Sequence, residues 1–227
     1  MKKLMTVAMA LIVACGFVFA QENAKSAKEI RKERMEIQKM AKKDLRAKVD
    51  GQTKKEAKRL KKQGWQVKPG TLPLEKQLEK AYLMQYEYDE NMFPKYIMGE
   101  ASSVGENYDA AKVAANSLAI TNLAGNIQTE VTGLVENTVA NKQLSPDEAA
   151  SISETVMSSK NLISQSIGRT VPVMECFRIN SKGNHEVLVR IGYNSQMAKE
   201  AARKAVRDEL EKKGQNLHEQ LDKALGL

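Results

Sequence analysis

The sequence is poor in the residues that build most chemical centres. It has 2 histidines and 2 cysteines in 227 residues. Those counts exclude a multi-histidine metal centre, a zinc ribbon and a disulfide scaffold. Aromatic residues make up 5% of the chain and prolines number 5, which argues against an aromatic-lined ligand cleft and against a proline-rich linker protein. Long apolar runs are scarce too. Beyond the first twenty positions no stretch offers the roughly 20 predominantly apolar residues that a membrane-spanning helix needs.

Catalytic signatures are missing as well. The chain has no GxSxG elbow, P-loop, GxGxxG or HExxH motif. Gly99-Glu-Ala-Ser-Ser-Val-Gly105 comes nearest to a phosphate cradle, but no lysine follows its last glycine, and it reads as a strand-to-helix turn. The acidic pairs Asp89-Glu90 and Asp208-Glu209 read as solvated helix positions or ends. His185 lies beside a turn cluster and His218 on a polar tail, and both are expected to face solvent. The chain is therefore expected not to be an enzyme and to need neither cofactor nor metal.

What is present begins with an address. Met1-Lys2-Lys3 is basic, and Leu4 to Phe19 is uncharged. Val18-Phe19-Ala20 before Gln21 places compact residues at positions −3 and −1 of a cleavage site, the pattern of a secretory signal peptide over residues 1–20. The apolar run, about 16 residues, is short for a transmembrane helix, so none is expected after its removal. A second alignment competes: Ile12-Val-Ala-Cys15 resembles a bacterial lipobox, which would make Cys15 a lipidated first residue. Either way Cys176 is the one internal cysteine. It sits in a strand-like run and is expected to be buried, with stability coming from packing.

Charge is distributed unevenly. Residues 21–70 carry 17 Lys and Arg against 7 Asp and Glu, residues 71–144 carry 5 against 10, and residues 145–227 carry 12 against 11. The net charge of +8 is thus the charge of an N-terminal arm. Ala24 to Lys48 has helical spacing at Ile30, Ile37, Met40 and Leu45. A second short helix is predicted from Thr53 to Gln63, with Gly64 as its cap. The arm, residues 21–70, reads as a helical extension, mostly solvated. Its cations Lys54, Lys55, Lys58, Arg59, Lys61 and Lys62 are the candidate contact with an anionic surface such as lipid headgroups, lipopolysaccharide or cell-wall polymer. Nucleic acid is disfavoured, because a leader exports the chain and no aromatic or glycine interleaving offers base stacking.

Residues 71–227 are expected to form an α+β domain with its core over about 95–213. Pro73 to Glu90 is predicted as a helix, with Tyr82, Tyr86 and Tyr88 as core contacts. A strand over Lys95 to Ser103 leads to a long Ala-rich helix, Tyr108 to Ala140. Val113, Ile120, Ile127 and Leu134 recur there every seven residues, Ala110, Ala111, Ala114 and Leu118 form a second face, and Gly125 or Gly133 offers a break. Ser145-Pro-Asp-Glu148 is a capping box opening a helix that reaches Gly168. A hairpin follows, with strands around Val171 to Ile179 and Val187 to Tyr193. Asn194 caps a last helix from Ser195 to Lys213, and Leu217, Leu221 and Leu225 mark a weaker amphipathic tail. A small antiparallel sheet against helices is the architecture this order suggests.

Over about residues 95–193 the pattern resembles the LPP-twenty-like domain family, small envelope lipoproteins with relatives among flagellar-assembly accessory proteins. The likeness rests on Tyr96-Ile-Met-Gly-Glu-Ala-Ser102 before the helix and on the Ala-rich run Ala110 to Ala124. It continues in Ile127-Gln-Thr-Glu-Val131, Ser164-Gln-Ser-Ile-Gly168 and Glu186-Val-Leu-Val-Arg-Ile191. The resemblance implies an envelope or surface location and a role in assembly or adhesion. It transfers no active-site residue. The partners it suggests are an envelope protein or a second copy of the chain.

Overall fold

The computed structural model describes residues 50–90, 92–141 and 143–227, together with Lys32 and Met35. Lys32 and Met35 are helical and exposed. The rest of the expected Ala24–Lys48 helix, the leader and Cys15 lie outside the described residues.

Among the described residues seven helices and three strands occur in the order α1 (Gly51–Lys62), α2 (Leu74–Gln85), β1 (Tyr96–Gly105), α3 (Tyr108–Ala140), α4 (Pro146–Ser158), α5 (Lys160–Ser166), β2 (Val171–Ile179), β3 (His185–Asn194), α6 (Ser195–Lys212) and α7 (His218–Leu225). The fold is α+β, as expected. The sheet is antiparallel with β3 in the middle, β1-β3-β2. One compact unit runs from Val49 to Leu227, so the expected boundary at residue 70 falls inside it.

Alternation along β3 divides the side chains between two cores. Val187, Val189 and Ile191 face α3, where Ala111, Ala115, Ala119 and Leu123 cover them. Farther along α3, Ile127, Val131 and Val135 carry the same core to α4, α6 and α7. Leu188 points the other way, towards a smaller core of Ala57, Trp65, Leu74, Leu78, Met174 and Cys176. That second core joins α1 and α2 to the sheet, and it is the reason α1 is not a free arm.

The α3 contact is unusually close. A Cβ built on Gly99 would lie 2.5 Å from the Ala119 carbonyl oxygen, and one on Gly105 would lie 2.6 Å from the Ala111 nitrogen. Glycine in the strand and alanine on the helix let the two backbones approach. Gly99 to Gly105 is therefore strand β1 itself, not the turn the sequence suggested. The same contact corrects the reading of the helix faces. The buried row steps by four through Ala111, Ala115, Ala119 and Leu123. It leaves Val113 67% and Leu118 46% exposed. The helix runs unbroken through Gly125 and Gly133. The break comes in the next helix instead. Ser159, fully buried, turns its hydroxyl onto the Thr155 carbonyl at 2.7 Å and separates α4 from α5.

Both sheet edges are partly covered. Asn122 and Asn126 of α3 donate side-chain amides to the Glu100 and Met98 carbonyls, each at 2.8 Å, along the outer edge of β1. Gln66 exchanges two 2.8 Å backbone hydrogen bonds with Phe177 on the outer edge of β2, and Gln77 accepts from the Glu175 N–H at 2.7 Å. Such contacts shorten the free edge that another chain could use as a template for strand addition.

Three further elements agree with the sequence or depart from it for a visible reason. The capping box at Ser145 and Glu148 is complete, and Asn194 accepts from the Met197 N–H to cap α6. The tail is firmer than expected. Arg203 grips Asp222 with two 2.6 Å bonds and Arg207 adds a third, so α7 buries Leu221 and Leu225. Helix α2 stops at Gln85 rather than Glu90, because the chain turns into a bridge between Tyr88 and Pro94. Tyr82 is the only one of the three tyrosines that packs against a core, and Tyr86 and Tyr88 are 63% and 44% exposed.

Candidate functional site

Helix α1 forms where the sequence places it, and its ends are well defined. Asp50 accepts from the Gln52 and Thr53 N–H groups at 2.8 and 3.3 Å. Those backbone bonds hold the Asp50 carboxyl below the usual carboxylate range. At the other end Gly64 adopts φ 86°. The Trp65 N–H bonds to the Leu60 carbonyl at 3.1 Å and the Gly64 N–H to the Lys61 carbonyl at 3.0 Å, a Schellman closure. Arg59, Lys61 and Lys62 in the last turn complement the helix dipole.

The closure sends Trp65 into the second core, 7% exposed, under the Arg178 guanidinium at 4.7 Å from the ring centre. Next to it, Lys68 lies 3.5 Å above the Tyr108 ring. Tyr108 donates its hydroxyl to Glu175, which also takes Lys112 at 3.0 Å. Burial and then the Glu175 carboxylate push the Tyr108 hydroxyl up. It is held as a protonated donor, and the cluster pins the 65–68 segment against α3 and β2.

With α1 fixed, its faces have fixed directions. Thr53 and Ala57 are buried and Leu60 is partly so. Lys54, Lys55, Lys58, Arg59, Lys61 and Lys62 are all exposed, on an opposite arc of about 160° at ~100° per residue. Arg59 pairs with Glu56 at 2.7 Å, and Lys61 with Glu75 at 2.5 Å. Lys54, Lys55, Lys58 and Lys62 form no ion pair with any described residue. All six candidate cations are therefore brought together on one face, four of them outside any ion pair among the described residues.

The other candidates are placed differently. Cys176 is buried, and burial pushes its thiol from about 9 up to about 12, so it is an inert core thiol at neutral pH. His185 is not fully exposed as expected. It stacks on Phe177 with ring centres 6.4 Å apart, and its Nδ1 is buried without a hydrogen-bond partner. His218 has a side chain only 23% exposed, 3.6 Å from Glu211, because the tail folds back as α7. Among the described residues no group of His, Cys, Asp and Glu could hold a metal ion. No described helix is long and apolar enough to cross a membrane.

Two features escaped the sequence reading. One is a polar groove of about 680 Å³ beside β1, lined among others by Glu100, Asn122, Asn126, Gln128, Lys160 and Arg190. Arg190 holds Glu100 there in an ion pair. The other is the exposed segment after α2, with Met92 73% and Phe93 59% exposed. The signal for it is Asp89-Glu90-Asn91 followed by Pro94, a turn cluster that starts in the last two residues of the expected helix and ends just before the expected strand at Lys95.

No family model, curated protein or solved structure matches this chain. The likeness to LPP-twenty-like domains over residues 95–193 rests on its motifs alone.

Proposed function

We propose that the chain is an exported, non-catalytic contact protein of the bacterial envelope, and that it engages an anionic surface through the exposed face of α1. One observation carries this reading. Six cations project from one side of a helix whose other side is anchored in a folded core. A fixed array presents its charges together and loses less conformational entropy on contact than a mobile arm would. The remainder of the chain, with cations and anions nearly balanced, and the expected leader at residues 1–20 fit the same reading. Whether the leader is cleaved at Gln21 or the chain starts at a lipidated Cys15, the array would meet headgroups, lipopolysaccharide or wall polymer.

Co-sedimentation with vesicles tests it. The protein should bind phosphatidylglycerol vesicles, release as salt rises from about 0.05 to 0.5 M, and ignore neutral phosphatidylcholine vesicles. Each lysine near such a surface contributes about 1 kcal/mol, so the variant K54Q/K55Q/K58Q/K62Q should bind at least ~100-fold more weakly. Unchanged binding by that variant would sink the reading. A second reading, a protein-contact module, is favoured by the exposed Tyr86, Tyr88, Met92 and Phe93.

A further inference from the structure

Of the large apolar side chains exposed in the described chain, five of fifteen fall between Leu83 and Phe93. Such clustering marks a contact surface rather than ordinary scatter. The segment is a built hairpin. The Asp89 N–H donates to the Phe93 carbonyl at 2.8 Å, and the Phe93 N–H returns to the Asp89 carboxylate at 2.9 Å. The Lys95 N–H bonds to the Glu87 carbonyl at 2.8 Å, and their side chains pair at 2.9 Å. Met92 sits at φ 65°, a left-handed conformation that an unbranched non-glycine residue adopts at a cost of about 1–2 kcal/mol. The result holds Met92 and Phe93 outward at the tip.

The charges around the tip select the partner. The hairpin carries three carboxylates, Glu87, Asp89 and Glu90, against one lysine, Lys95, which pairs with Glu87, and Lys199 lines the groove beside Asp89 and Phe93. An anionic bilayer would repel a segment of net negative charge, whereas a cationic surface with lysine stems for apolar contact would complement it. The chain carries such a surface on α1. Within the described residues the hairpin tip does not reach that surface. The base of the hairpin, at Tyr82 and Tyr86, shares a groove with Thr53 and Glu56 on the packed side of α1, and the lysines point away from that side.

We infer that the 86–95 hairpin of one copy docks on the Lys54, Lys55, Lys58 and Lys62 face of a second copy, giving head-to-tail self-association. The inference rests on the reading of α1 as a contact face and names an acidic, aromatic partner for it. Unlike a two-fold contact, a head-to-tail contact leaves one surface free at each end, so it grows into a ring or a filament.

Sedimentation velocity on the full protein, as the producing cell processes it, tests the inference. Wild type should assemble with rising concentration and dissociate in high salt. M92N/F93S removes the hairpin tip and K54Q/K55Q/K58Q/K62Q removes the face. All six positions are exposed, so the fold is retained, and each variant should associate at least ~10-fold more weakly. Mixed in equal amounts, the two variants should form one-to-one dimers and nothing larger, because one intact hairpin meets one intact face. A monomeric wild type, or a mixture that stays monomeric, overturns self-association. If the monomer still binds anionic vesicles through its lysines, the proposed function survives that failure. If M92N/F93S instead abolishes vesicle binding by a monomeric protein, the hairpin enters lipid and the inference is overturned.

Discussion

Gly99 and Leu123 meet where a side chain on Gly99 could not fit: a Cβ there would stand 2.7 Å from the Leu123 Cβ. Gly99→Ala should therefore destabilise the protein by about 1–3 kcal/mol, the usual range for overpacking. Gly133→Ala is the matched control. Nothing lies within 4 Å of its Cβ position, and alanine favours a helix interior by about 1 kcal/mol. Urea unfolding of the two variants should shift in opposite directions.

The buried row of α3 makes a second prediction. Leu123→Ala removes a fully buried side chain and should cost about 2–5 kcal/mol. Val113→Ala, at a position 67% exposed, should change stability by no more than about 0.5 kcal/mol. Thermal melts that ranked Val113 with Leu123 would mean the seven-residue repeat, not the four-residue row, faces the core.

Cys176 gives a pH dependence with a definite sign. Its thiol rises to about 12 in the folded protein and titrates near ~8.5 when unfolded. The folded state therefore holds the proton more tightly. The stability this contributes is complete below about 8.5 and is lost as pH climbs towards 12. Cys176→Ala should flatten the alkaline fall in Tm. The native thiol should resist iodoacetamide at pH 8 and react once unfolded.

Asp222 titrates in the opposite direction. Hydrogen bonding from Arg203, and then the charges of Arg207 and Arg203, hold its carboxyl below the usual range. Its contribution is present above the unfolded value near ~3.9 and is lost as pH falls through the lower folded value. Asp222→Asn should lower Tm at neutral pH by roughly 2–4 °C, and the gap from wild type should close in acid. A gap that stayed constant down to pH 2 would contradict the ion pair.

The sequence by itself determined where most elements begin and end. Ser145-Pro-Asp-Glu148, Asn194, Gly64 and the Asn180 to Asn184 turn act through backbone geometry within a few residues, so local reading finds them. The alternation in β3 and the alanine content of α3 were likewise enough for an antiparallel sheet under a close-packed helix. Tertiary structure decided what depends on partners distant in sequence. The α3 face that is buried follows from Gly99 and Gly105 on another strand. Tyr86 and Tyr88 face solvent because a bridge to Pro94 ends α2 early. The six cations of α1 were visible from the start, but a list of lysines has no direction. Their common orientation comes from Ala57, Trp65 and Leu78 packing beneath them against Met174 and Cys176, a contact between segments distant in sequence.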